Sequence, residues 1–167
     1  MDAEAKKTAL RMIPYGLYVL TAADANGQIA TATINWVTQT SFNPPLIVAA
    51  LKADSGALAA TRASGGFVLN ILGKGQQGAA FAFFKPAAVD GDKIAGQPFR
   101  KSASGAAILI EAPACLECTV REIVAVGDHY VILAEVIEAH VMKPPAGRPD
   151  AAVLEMKDLG EKVFYGG

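Results

Sequence analysis

Histidine and cysteine are scarce in this sequence, with two of each among 167 residues. Two cysteines cannot build a disulfide framework, and a cytoplasmic setting is the simplest expectation. With only His129 and His140, neither a nucleophile–His–Asp triad nor a histidine-rich metal centre is readily assembled. No pair of carboxylates stands in an apolar pattern, so acid–base hydrolysis has no machinery and chemistry has to come from a cofactor. An excess of charge is missing too. Fifteen Lys and Arg face sixteen Asp and Glu, a net −1, which gives no long-range field to gather nucleic acid or an anionic membrane. Residues 25–51 carry no charge, yet Asn26, Asn35, Gln39, Asn43 and the Pro44-Pro45 pair interrupt them, which excludes a bilayer-spanning helix. Lys6, Lys7 and Arg11 lead to Pro14 and Gly16 without an apolar stretch, so no secretory signal is expected. No repeat of 20–50 residues is present. The length fits one domain over residues 1–167, and a 52% hydrophobic content in so short a chain points to an oligomer.

What is present reads mainly as β-structure. Helical spacing over residues 3–12 ends at Pro14. Residues 17–21 and 28–37 form strands around the Asn26-Gly27 turn, the strongest short-range hairpin signal. A Thr/Ser loop then runs into Pro44-Pro45, a buried strand follows at 46–51, and an Ala-rich helix at 57–62. Another strand covers 67–72, with a Gly-rich turn and a short helix stopped by Pro86. Residues 86–105, rich in Pro, Gly and charge, are expected to cross the surface. Two long strands, 115–126 and 129–142, pair through Gly127-Asp128. Residues 143–150 are a loop, and Val163-Phe164-Tyr165 form a last strand. Two or three hairpins with only short helices favour a closed antiparallel barrel over a doubly wound sheet.

Gly73-Lys74-Gly75-Gln76-Gln77-Gly78 matches the dinucleotide fingerprint, but Pro86 stops its helix after two turns and no second parallel strand follows, so it is read as a turn. Cys115 and Cys118 have redox spacing inside a strand, where positions three apart point to opposite faces. They are expected to be buried, inert thiols. Thr31, Thr33, Asn35, Thr38, Gln39, Thr40 and Ser41 surround Trp36. Such a ribbon can line a planar heterocycle with backbone groups and reach a phosphate with hydroxyls, or be a Thr-rich edge strand. Lys52 and Ser55 lie ahead of the 57–62 helix, where a cation and a hydroxyl can complete a phosphate cradle. A solvated turn is the alternative. His129 opens a strand at a hairpin tip, and His140 is read as structural.

In order and spacing, several stretches resemble the flavin reductase-like, FMN-binding split-barrel family. They are residues 14–21, residues 35–42 running into Pro44-Pro45, residues 67–72 with Gln77 and Phe84, Leu116-Glu117-Cys118, and Gly127-Asp128-His129. The resemblance spans about residues 13–165, and within the family it is to reductase modules found alone or fused to diiron flavoproteins and rubredoxin-type carriers. It implies a six-stranded antiparallel split β-barrel, mainly β with short helices, that is dimeric with FMN near the subunit interface. It places Asn35, Trp36, Val37, Thr38, Thr40 and Ser41 along the isoalloxazine and ribityl chain. Lys52 and Ser55 fall at the phosphate, Phe84 and Lys85 beside the flavin, and His129 where the nicotinamide stacks. Tyr165 matches an aromatic tail position. Some relatives carry small residues in place of Trp36 and a shorter loop before the prolines. The expected activity is hydride transfer from NAD(P)H to a flavin, FMN or FAD. The alternatives are an FMN-bound electron carrier serving a redox partner protein, and a barrel that binds its ligand without turnover.

Overall fold

A computed structural model describes residues 1–167. The Asp2 side chain accepts the Ala5 N–H at 2.6 Å and caps α1 (Ala3–Arg11), which buries no residue. Strands β1 (Tyr18–Ala23) and β2 (Ile29–Ile34) form the first hairpin, its turn closed by Asp24 Oδ1, which accepts the N–H groups of Asn26 and Gln28. After a two-residue bend come β3 (Val37–Ser41) and β4 (Leu46–Lys52). Helix α2 (Gly56–Ser64) starts on the Ser55 hydroxyl, which accepts the Leu58 N–H at 3.2 Å, and stops at Gly65. Gly65 sits at φ 69°, a left-handed conformation that closes a helix at little cost only when no Cβ is present. Next are β5 (Gly66–Ile71), α3 (Gln77–Ala82), the short strands β6 (Val89–Asp90), β7 (Lys93–Ile94), β8 (Gln97–Lys101) and β9 (Ala107–Leu109), then β10 (Ala114–Val124) and β11 (His129–Val141).

The main sheet is antiparallel throughout, in the order β2-β1-β5-β10-β11-β4-β3. Its two outermost strands are consecutive in the chain: β2 ends at Ile34 and β3 begins at Val37. Only a sheet curled nearly into a cylinder lets two residues connect its opposite edges. No ladder joins β2 to β3, and the barrel is split along that seam. The strand count is seven where the resemblance implies six. The extra strand is β3, because the stretch read as a Thr/Ser loop pairs with β4.

Alternation along β1 and β5 sends side chains to both faces, and both are buried. Leu20, Ala22, Phe67 and Leu69 enter the barrel core with Leu58 of α2 and Ile132 of β11. Val19 and Val68 face outward, into clusters with Leu109 and Ile108 of β9 respectively. Residues 86–105 correct the expectation of a surface excursion. They contribute to a four-stranded sheet, β6-β7-β8-β9, in which Ile94 and Ile108 are wholly buried. The outer faces of β1 and β5 are apolar and need a second layer, which outweighs the local Pro/Gly signal. The other correction concerns residues 163–165, which form no strand.

The fingerprint-like glycines make a turn, not a nucleotide fold: Gln76 Oε1 accepts the Gly73 N–H at 2.8 Å and the six-residue α3 follows. Lys74 is paired with Asp158 and Glu155. The cysteines pack into separate clusters, Cys118 in the barrel core and Cys115 against Val68, Ala106 and Ile108. Burial pushes the two thiols up, Cys115 to about 11 and Cys118 to about 12. Because the thiolate is the reactive form, neither should react with a thiol-specific disulfide reagent at about pH 8 in the folded protein. Both should react once denaturant is added, and a fast-reacting thiol in native protein would contradict this packing.

Candidate functional site

A cavity of about 1070 Å³ lies along the split, at the upper end of the roughly 300–1,000 Å³ usual for small-molecule sites. One wall is β2, paired on a single side only, so backbone N–H and C=O groups remain along its free edge. The Thr33 N–H is already committed to Phe83 O at 3.2 Å. The facing wall is the small-residue side of α2, with Gly56, Ala57, Ala59, Ala60 and Ala63. Larger side chains there would fill the space, so the Ala-rich composition of this helix is what keeps the cavity open.

Strand register brings Lys52 and His129 together from opposite ends of the sequence. They are directly opposed across the β4–β11 ladder, and in an antiparallel pair opposed side chains share a face. Lys52 Nζ sits 3.0 Å from the Asp54 carboxylate, whose pKa the ammonium holds below the usual range. Ser55 is the next lining residue. Its oxygen accepts from Leu58 but its O–H stays free to donate, next to the unpaired N–H groups of the first turn of α2.

Aromatic rings gather around His129 in the same cavity. The ring of Trp36, in the bend between β2 and β3, lies 4.7 Å from the His129 imidazole in an edge-on arrangement and 5.6 Å from Tyr165. His129 Nδ1 is 3.0 Å from Asp128 Oδ1, and its Nε2 is 2.7 Å from Tyr165 Oη. The Asp128 carboxyl is held low by His129. Asn35 is buried and donates from Nδ2 to Tyr165 O at 3.0 Å. Two buried polar atoms on lining residues, Thr31 Oγ1 and Trp36 Nε1, have no partner in the chain.

Of the residues singled out from sequence, Asn35, Trp36, Lys52, Ser55, Phe84, Lys85 and His129 all line this cavity. Val37, Thr38, Thr40 and Ser41 do not. They lie on β3, with Thr38 and Thr40 exposed. Thr31 and Thr33 of the same ribbon, on β2, and Tyr165 line it as well, whereas the small-residue side of α2 and the cover supplied by Val163 and Phe164 are not among the sequence candidates. Edge position and helix packing are properties of strand order, which no local pattern carries. The cavity-lining Asp24 and Asp54 add two carboxylates to the two lysines.

A split antiparallel barrel whose cavity joins a free strand edge, a lysine beside a helix start and a cluster of edge-on aromatic rings defines a small-ligand-binding barrel suited to a planar, anionic molecule. The chain belongs to the flavin reductase like domain family, whose model matches residues 10–154. It is 32% identical over 145 residues to diflavin flavoprotein A 1 of Synechocystis sp., covering 86% of this chain but 25% of that protein. To the flavin reductase of Pseudomonas putida it is 28% identical over 141 residues, covering 84% and 81% of the two chains. The solved structure of the styrene monooxygenase flavin reductase from Pseudomonas putida S12 superposes with a TM-score of 0.70 at 27% identity, covering 86% and 89%. No helix is long and apolar enough to cross a membrane.

Proposed function

We propose that this chain is an oxidoreductase that binds FMN in the 1070 Å³ cavity and uses a reduced nicotinamide, NADH or NADPH, to reduce a flavin. The observation that carries the reading is the union of Lys52, Ser55 and the α2 start with the Trp36–His129 surface in one cavity. In this reading the cavity joins a place for a phosphate, a free strand edge and an aromatic cluster. In this reading Lys52 and the Ser55 O–H hold the phosphate against Asp54. The β2 edge and Asn35 orient the ring system, Phe84 and Lys85 flank it, and His129 positions the nicotinamide. Bound flavin supplies the hydride acceptor. The protein supplies alignment and exclusion of water, and no side chain has to gain or lose a proton.

The functional unit in this proposal is a single domain that works as a cytoplasmic homodimer, a setting in which its two free, buried cysteines stay reduced. A second reading, an FMN-bound carrier delivering electrons to a redox partner protein, is favoured by the likeness to one quarter of a longer diflavin flavoprotein. The absorbance spectrum of the protein mixed with FMN separates these readings. Perturbed flavin bands, bleached by anaerobic NADH or NADPH with catalytic turnover of added flavin, are the expected outcome. Bleaching only by a reduced protein carrier selects the second reading, and unperturbed bands overturn both. Replacing His129 with alanine should lower kcat by about 10–100-fold, the range of a lost positioning contact, while flavin affinity stays within about threefold. Wild-type turnover in that variant removes His129 from the mechanism.

A further inference from the structure

Residues 160–167 have no regular secondary structure, yet they are the wall between two cavities. Val163, Phe164 and Tyr165 line both the 1070 Å³ cavity and a second one of about 510 Å³. The second cavity lies against Arg11, Tyr15 and Lys157. The segment is held by few and mostly exposed contacts. Asn35 and His129 bond to Tyr165 as described, Arg11 Nε donates to Gly166 O at 3.2 Å, and the Arg11 guanidinium lies 4.2 Å from the centre of the Phe164 ring. Phe164 and Tyr165 remain 51% and 49% exposed, so of these aromatic and aliphatic side chains only Val163 packs against a buried cluster. It begins at Gly160, at φ 128°, a conformation that L side chains rarely adopt and one suited to a hinge.

The position these residues occupy is the one the proposed reaction needs. Tyr165 sits beside Trp36 and His129, its ring tilted 52° to the indole and 78° to the imidazole, and both imidazole nitrogens of His129 are engaged within the chain, by Asp128 and by Tyr165. We propose that residues 160–167 are a displaceable strap. Tyr165 occupies the Trp36–His129 surface in place of the incoming nicotinamide ring, and its release opens that surface and merges the two cavities into one groove of dinucleotide length. This rests on the functional reading above. The strap lowers the apparent nicotinamide affinity by the fraction of time it is open, as any closed ground state does.

Trp36, the single tryptophan, reports on the strap directly. In the full chain, Tyr165→Ala should at least double acrylamide quenching of Trp36 fluorescence in flavin-free protein. In FMN-loaded protein it should tighten binding of oxidised nicotinamide dinucleotide by about 3–10-fold, the scale of one lost hydrogen bond, a gain larger than any change in FMN affinity. Tyr165→Phe, which keeps the ring and loses the bond to His129, should fall between. Unchanged or weakened dinucleotide binding in Tyr165→Ala overturns the strap. Failure of wild type and variant alike to bind dinucleotide overturns the functional reading instead. The strap is then judged by Trp36 alone: a rise in quenching in Tyr165→Ala supports it, and no rise overturns it.

Discussion

Replacing Asn70 with alanine is expected to lower the unfolding free energy by about 3–5 kcal/mol. Asn70 lies on β5 with no exposed surface. Its amide donates to Val19 O at 3.1 Å and Ala107 O at 3.2 Å, and its Oδ1 accepts the Leu109 N–H at 2.8 Å. Thr21 Oγ1 donates to the same Ala107 O at 2.6 Å. These bonds fasten β9, and with it the whole outer layer, to the barrel strands β1 and β5. Removing the side chain leaves buried backbone groups short of partners, each worth about 1–3 kcal/mol, and also opens a void. Urea unfolding should show a lower midpoint with an unchanged slope. A loss under about 1 kcal/mol would mean that water or a shifted β9 replaces the bonds.

The largest functional effect should follow from Lys52→Ala. If the ammonium holds the FMN phosphate, its loss removes a charge-assisted bond worth about 1.5–3 kcal/mol, or roughly 10–150-fold in FMN affinity. Riboflavin, which has no phosphate, should bind wild type and variant within about twofold. The variant also leaves the Asp54 carboxylate beside the phosphate without its counter-charge, which adds repulsion in the same direction. Titration of both flavins by fluorescence quenching checks the pair. Equal weakening of FMN and riboflavin would assign Lys52 to the cavity wall and not to the phosphate.

Much of this molecule was legible in the residues. The hairpin around Asn26-Gly27, the paired strands on either side of Gly127-Asp128 and the Ala-rich helix behind Lys52 and Ser55 all follow from turn chemistry and periodicity, which are local. The same logic dismissed the fingerprint glycines, because a parallel crossover needs more chain than Pro86 leaves. The strand at residues 37–41 stands in the sequence only as the alternative to a binding ribbon, because its Thr- and Gln-rich pattern carries no buried face. It is a strand only because β4 offers it a ladder. The layer built from residues 86–109 was missed for the converse reason. Its strands are short, separated by glycine turns and in β8 interrupted by Pro98, and they are held by the apolar outer faces of β1 and β5 rather than by their own propensity.

By itself the sequence determined that the chain is mainly antiparallel, and it singled out a charge-poor Thr/Asn ribbon, one lysine turn and one histidine turn as candidate binding segments. Only the tertiary structure decided that Lys52 and His129 face each other, that β2 is a free edge while residues 37–41 lie outside the cavity, and that the Tyr165 hydroxyl meets the imidazole. Composition and periodicity act over a few residues. Which strand becomes an edge, and which distant side chains share a face, is set by the register and curl of the whole sheet.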